Sequence, residues 1–251
     1  MNLRYLLAII TLVTLAPLLI LQALYLRRHA VRLPPAQGQR SGSEPGAEPA
    51  VEILVLGEST AAGVGVSNHR ESLAGQIATA LSQRLQRVIR WEVAGLNGLI
   101  TERTAATLFP WVQAERADIV VLALGVNDTL ALRTPRRWLR DLESLIIEVR
   151  SRFQPQLVVI SAVPPVGKFI AIPQPLRFVF GLVAQSLDEA TQQACAQRPE
   201  LLYAVLPGSM QNKRHYLSSD GFHPSSEGYA AWGAVLAEAI AERMRETVAP
   251  L

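Results

Sequence analysis

Cysteine is nearly absent from this 251-residue chain: Cys195 stands alone, which rules out an internal disulfide and a cysteine metal cluster. It lies in an Ala, Gln and Arg-rich helical stretch and reads as a plain helix residue. Charge is also sparse, at 18% of residues and a net +3. The arginines are spread over predicted helices, not gathered into a patch with interleaved aromatics, so nucleic acid is not an expected partner. The glycine spacings that cradle phosphates, Gly-x-x-x-x-Gly-Lys and Gly-x-Gly-x-x-Gly, are missing where Gly57 to Gly65 would have to carry them. No internal repeat is present.

Charge is wholly missing from residues 5–26, an apolar run. At about 1.5 Å per residue it is long enough to cross a hydrocarbon core of ~30 Å. Residues 1–32 therefore read as a membrane anchor with a single spanning helix, in which Pro17 is tolerable. A cleaved signal peptide is the competing reading, but the run exceeds an ordinary apolar signal region and no clean Ala-x-Ala site follows. Arg27, Arg28, Arg32 and Arg40 follow the run and only Arg4 precedes it. That bias favours an inner-membrane protein with its domain on the cytoplasmic side, a periplasmic domain being the alternative.

What the chain has in quantity is apolar sequence, 49% of residues, enough for one full-sized core. Residues 33–50, rich in Pro, Gly, Ser and Glu, have no apolar period and read as a flexible linker. Residues 51–251 form the domain. Short, largely β-branched apolar runs at 51–56, 88–93, 119–124, 157–162 and 201–205 suit strands buried on both faces. Amphipathic stretches at 72–87, 102–111, 135–152, 175–197 and 226–245 suit helices. Such alternation calls for right-handed crossovers and an α/β fold with a parallel sheet covered on both sides.

Four polar motifs close three of these strands and a late loop: Gly57-Glu58-Ser59-Thr60, Asn97-Gly98, Gly125-Val126-Asn127-Asp128 and Asp220-Gly221-Phe222-His223. Singly, each has an ordinary explanation. Ser59 suits a helix N-cap, Gly98 and Asn127 suit turns, and Asp220 beside Gly221 suits a turn. Together they supply a hydroxyl nucleophile, a histidine with an acid three residues before it, and donors for a developing oxyanion, the parts of acyl transfer from serine. The first three motifs sit at carboxyl ends of strands, where open α/β sheets form ligand crevices. His69 is the rival base by proximity in sequence to Ser59, but only His223 carries an acid at that spacing. Asp128 reads as a tie to backbone amides, and Trp91, Trp111, Trp138 and Trp232 as packing residues.

The ordered set resembles the SGNH hydrolases, also called GDSL esterases and lipases, over residues 51 to about 245. Ser59 takes the family's serine position, with Glu58 in place of the usual Asp, a conservative departure that leaves the mechanism undisturbed. Ala94-Gly95-Leu96-Asn97-Gly98 fits the glycine block, with Gly98 at the donor position and Gly95 the weaker candidate. The Gly-x-Asn-Asp block places the Asn donor at Asn127, and the closing Asp-x-x-His block matches Asp220 and His223. The resemblance implies a doubly wound, flavodoxin-like parallel sheet of five strands in the order 2-1-3-4-5. It also implies catalytic Ser59, Asp220 and His223, and an oxyanion hole from the amides of Ser59 and Gly98 and the Asn127 side chain. No metal or cofactor is implied. The expected protein is a membrane-anchored serine esterase acting on a small-molecule or lipid ester. An O-acyltransferase using the same site is the near alternative, and a catalytically silent anchored binding domain the distant one. The apolar, proline-punctuated segment 163–181, with Phe169, Ile170 and Ile172, reads either as core cover or as a wall for an acyl chain.

Overall fold

Strands that are apolar at consecutive positions need cover on both faces, and helices provide it in the computed structural model, which describes residues 3–207 and 214–248. The elements follow in chain order as α1 (Leu3–Thr14), α2 (Ala16–His29), β1 (Ser41–Glu44), β2 (Ala47–Gly57), α3 (Leu73–Leu85) and β3 (Arg87–Gly95). Then come α4 (Thr104–Leu108), β4 (Ile119–Ala123), α5 (Val126–Leu130), α6 (Pro135–Phe153), β5 (Leu157–Ser161), α7 (Leu176–Ala196), β6 (Leu201–Ala204) and α8 (Ser226–Val248).

The sheet order is β1-β3-β2-β4-β5-β6, parallel throughout except for β1, which pairs antiparallel with β3. The five expected strands and their order are present, and a sixth at the edge corrects the count. Alternation along β2 divides the core. Leu54 and Leu56 face α6 and α7, where Trp138, Leu142, Leu145, Val149 and Phe153 form the buried stripe of α6. Ile53 and Val55 face α3 and α8, against Leu73, Ile77, Leu81, Tyr229 and Trp232. Thr134 starts α6 by accepting a bond from the Arg137 amide, with Pro135 in the first turn.

The expected linker is largely built into the domain. Ser41–Glu44 pairs with β3, β2 begins at Ala47, and the amides of Ala36 and Gln37 bond to the carbonyls of Ala62 and Ser67. Ser-Gly-Ser-Glu has no apolar alternation, so β1 shows no strand pattern. What admits it is Gly42, where a Cβ would lie 2.7 Å from the Trp91 ring.

The N-terminal run is not one helix, which corrects the single-span expectation. α1 and α2 meet at a 91° bend, and among the described residues no single helix is long and apolar enough to cross a membrane, although the bent pair together has the length and composition. Pro17 brings no N–H to the break, and the Thr14 hydroxyl bonds back to the Ile10 and Thr11 carbonyls. α1 packs on α7: Tyr5 and Ala8 are buried, the Tyr5 hydroxyl donates to the Leu132 carbonyl at 3.0 Å, and Arg4 meets Glu189 at 2.7 Å. Gln22 of α2 donates to the Gln174 carbonyl at 2.6 Å and accepts from the Leu176 amide at 3.1 Å. Residues 102–111, expected as one helix, divide into α4 flanked by 3-10 turns, the second containing Pro110.

Candidate active site

Ser59 follows β2 at the carboxyl edge of the sheet, in a turn closed by the Ala62 amide on the Glu58 carbonyl and the Val64 amide on the Ser59 carbonyl. It is 5% exposed. The chain then runs to Val64, whose carbonyl accepts the Tyr229 hydroxyl of α8 at 2.8 Å, and to Gly65, whose carbonyl accepts from the Ser218 hydroxyl. The first bond ties the serine turn to α8 and the second to the loop that carries His223.

That loop is closed upon itself. The Ser218 amide bonds to the His223 carbonyl at 2.8 Å, and Arg214 donates to the carbonyls of Leu217 and Ser218. Asp220 Oδ1 accepts the amides of Phe222 and His223, and its Oδ2 lies 2.6 Å from His223 Nδ1. A carboxylate can only accept, so the proton of that contact belongs to Nδ1 and Nε2 is left as an acceptor. Burial alone would raise the Asp220 pKa, but the bonds from the His223 ring and the two amides outweigh it and hold the group below its ordinary range.

Ser59 and His223 line one cavity of about 280 Å³. Its other walls are mostly apolar, with Val126, Phe169, Ile170, Phe222 and Trp232 among them and Phe169 and Phe222 edge to face at 4.8 Å, and Lys168 and Arg214 also line it. Ile172, by contrast, is core. The Val163 end of this wall is fixed by Asp188, which accepts the Val163 amide at 2.8 Å and the Tyr203 hydroxyl at 2.9 Å.

Gly98 and Asn127 are not on the cavity lining, but both are bound to the serine turn through their loops. The Leu96 amide reaches the Gly57 carbonyl, and the Asn127 side chain donates to the Leu99 carbonyl at 3.1 Å. Gly98 has φ +80°, a conformation side-chain-bearing residues rarely adopt, with open space around it. Among the described residues no acceptor takes the amides of Ser59 or Gly98. Gly95 lies inside the ladder opposite Gly57, packed against Ala61 and Ala62 of the serine turn.

The sequence reading gave Glu58 no task, yet it is 1% exposed and accepts three bonds: Val126 N at 2.9 Å, Asn127 N at 2.9 Å and Asn127 Nδ2 at 2.5 Å. Burial, with the nearby Asp128 charge, pushes its carboxyl up to about 8, against the bonds that hold it down. Its position beside Ser59 was the only sequence signal. Asp128 does tie a loop, accepting both the amide and the hydroxyl of Thr101. His69 is buried beside Trp91 and Asn68, away from the Ser59 cavity, and burial lowers its pKa. Trp91, Trp138 and Trp232 are buried, whereas Trp111 is 41% exposed and stacks under Arg40.

A serine hydroxyl, a histidine oriented by an ionised carboxylate and two open amides can together perform acyl transfer. Comparison with known proteins bears on the fold and the family. The structure is similar to a Clostridium thermocellum family 3 carbohydrate esterase, with a TM-score of 0.62 and 18% identity over 80% of this chain and 100% of the other. It is also similar to a lipase/acylhydrolase from Enterococcus faecalis, with a TM-score of 0.54 and 23% identity over 77% of this chain and 96% of the other. These two likenesses concern the fold. In sequence the chain is 25% identical, over 201 residues and 78% of its length, to a GDSL-like esterase of Mycobacterium tuberculosis, and spans 63% of that relative's length. Residues 55–231 match the profile of the GDSL-like lipase/acylhydrolase family, and the chain belongs to that family.

Proposed function

We propose that this protein is a serine ester hydrolase with Ser59 as nucleophile. The observation that carries the reading is that Ser59 shares a cavity with a His223 whose Nδ1 is held by Asp220. In the first half-reaction His223 Nε2 takes the Ser59 proton as Oγ attacks the ester carbonyl, then gives it to the leaving alcohol. Water repeats the sequence on the acyl-enzyme. The amides of Ser59 and Gly98 and the Asn127 side chain would meet the oxyanion.

The cavity wall suggests the acyl group. About 280 Å³ is near the lower end of small-molecule pockets, and Phe169, Ile170 and Phe222 give it an apolar wall beside Lys168 and Arg214. Each methylene buried there adds up to ~0.8 kcal/mol. In a panel of p-nitrophenyl esters, kcat/KM should therefore rise from acetate to medium chains and level off once the wall is filled. Replacing Phe169 and Ile170 with Ser should flatten the rise while acetate turnover stays nearly unchanged. A profile that falls immediately after acetate would contradict an acyl wall.

The bent N-terminal pair is the basis for membrane attachment. Leu18, Ile20, Leu21, Leu24 and Tyr25 of α2 are exposed, Arg27 and Arg28 end that helix, and Arg32 follows. Exposed aliphatic side chains beside a basic collar suit an anionic lipid surface. The full-length protein should float with vesicles containing anionic lipid and lose part of that binding at high salt. Remaining in the dense fraction at low salt would count against attachment.

A further inference from the structure

We infer that Glu58 is a positioning residue for the oxyanion site: its buried carboxylate fixes which end of the Asn127 amide faces the serine turn. The inference rests on the serine-hydrolase reading and deepens it.

Glu58 Oε1 takes the Val126 amide and Oε2 takes both the amide and the side-chain Nδ2 of Asn127. Above about pH 8 Glu58 is ionised and offers acceptors only, so Nδ2 and never Oδ1 can turn towards it. The same Nδ2 also donates to the Leu99 carbonyl, a neutral acceptor. With Glu58 ionised, one N–H is held by a charged acceptor and the other by a neutral carbonyl, and the latter bond is the one a developing oxyanion can compete for. A neutral amide in the place of Glu58 would lose that discrimination, since it can donate to Oδ1 and let the Asn127 amide turn over.

A purely structural Glu58, serving only the two backbone amides, would act independently of the Asn127 side chain. A double-mutant cycle separates the two roles. With a short-chain ester at about pH 9, where Glu58 is ionised, Glu58→Gln should lower kcat by ~10- to 100-fold with KM within about threefold, and Asn127→Ala should lower kcat by ~10²- to 10³-fold. The double variant should be no slower than Asn127→Ala alone. Additive losses, or an unchanged kcat in folded Glu58→Gln, would overturn the inference. Should Glu58→Gln fail to fold, Glu58→Asp takes its place in the cycle with the same criterion.

A second readout needs no turnover. In proton–nitrogen spectra of the full-length protein at about pH 9, where Glu58 is ionised, one Asn127 side-chain proton should resonate downfield because of its charge-assisted bond, and Glu58→Gln should return it to the ordinary amide range. An ordinary shift in the wild type would also overturn the inference. A wild type that shows the downfield proton but hydrolyses no ester would instead remove the hydrolase reading and leave the Glu58–Asn127 clamp standing.

Discussion

Replacing Ser59 by alanine should lower kcat for a short-chain ester by about 10⁶-fold, the scale seen when a serine enzyme loses its nucleophile. The effect is this large because His223 would have no hydroxyl to deprotonate and no acyl-enzyme can form. Stability should hardly change. Among the described residues the Ser59 hydroxyl bonds to no other side chain, and the turn is held by the Val64 amide on the Ser59 carbonyl, which alanine retains. A matched melting curve accompanies the assay, so that loss of turnover is not mistaken for unfolding. Residual hydrolysis above background is expected from the open amides and binding alone. Wild-type kcat in a folded Ser59→Ala protein would assign the nucleophile elsewhere.

Asp220→Asn should cost roughly 10⁴-fold in kcat, with the loop still folded. Oδ1 can go on accepting the Phe222 and His223 amides, so the backbone geometry survives. The amide nitrogen would then face His223 Nδ1, which favours the tautomer with its proton on Nε2, the wrong one for a general base. The same substitution has a signature in stability. Asp220 binds its proton less tightly in the folded protein than in the unfolded chain, so it stabilises the fold above the ordinary carboxylate pKa. That contribution is lost as pH falls through the lowered folded value. The melting-temperature gap between wild type and Asp220→Asn should therefore be constant from about pH 5 upward and close below about pH 4. A gap that widens on acidification would reject the assigned direction.

The readable parts of this chain are those where local pattern and tertiary demand coincide. The run 119–124 is continuously apolar because β4 is covered by helices on both faces, so sequence and structure report the same burial. The motifs around Ser59 and His223 were legible from residue type and spacing, and the fold brings both side chains to one cavity. β1 was not, since its pairing depends on the Trp91 ring lying over Gly42, a contact between segments nearly fifty residues apart. The bend at Leu15 escaped hydropathy because Pro17 and the back-bonded Thr14 leave the composition apolar while ending the helix. Glu58 looked like a neutral replacement for Asp beside the nucleophile. Only the fold brings Asn127, 69 positions away, onto its carboxylate. A side chain whose partners are all distant in sequence shows no local pattern of its role.

The most direct test of the central claim is active-site labelling with a fluorophosphonate, followed by mass spectrometry of the intact protein and its peptides. Wild type should take up one phosphonyl group, on the peptide containing Ser59, and folded Ser59→Ala should take up none. Labelling of Ser59→Ala to the same extent, or a wild-type adduct on any other serine, would contradict Ser59 as the nucleophile.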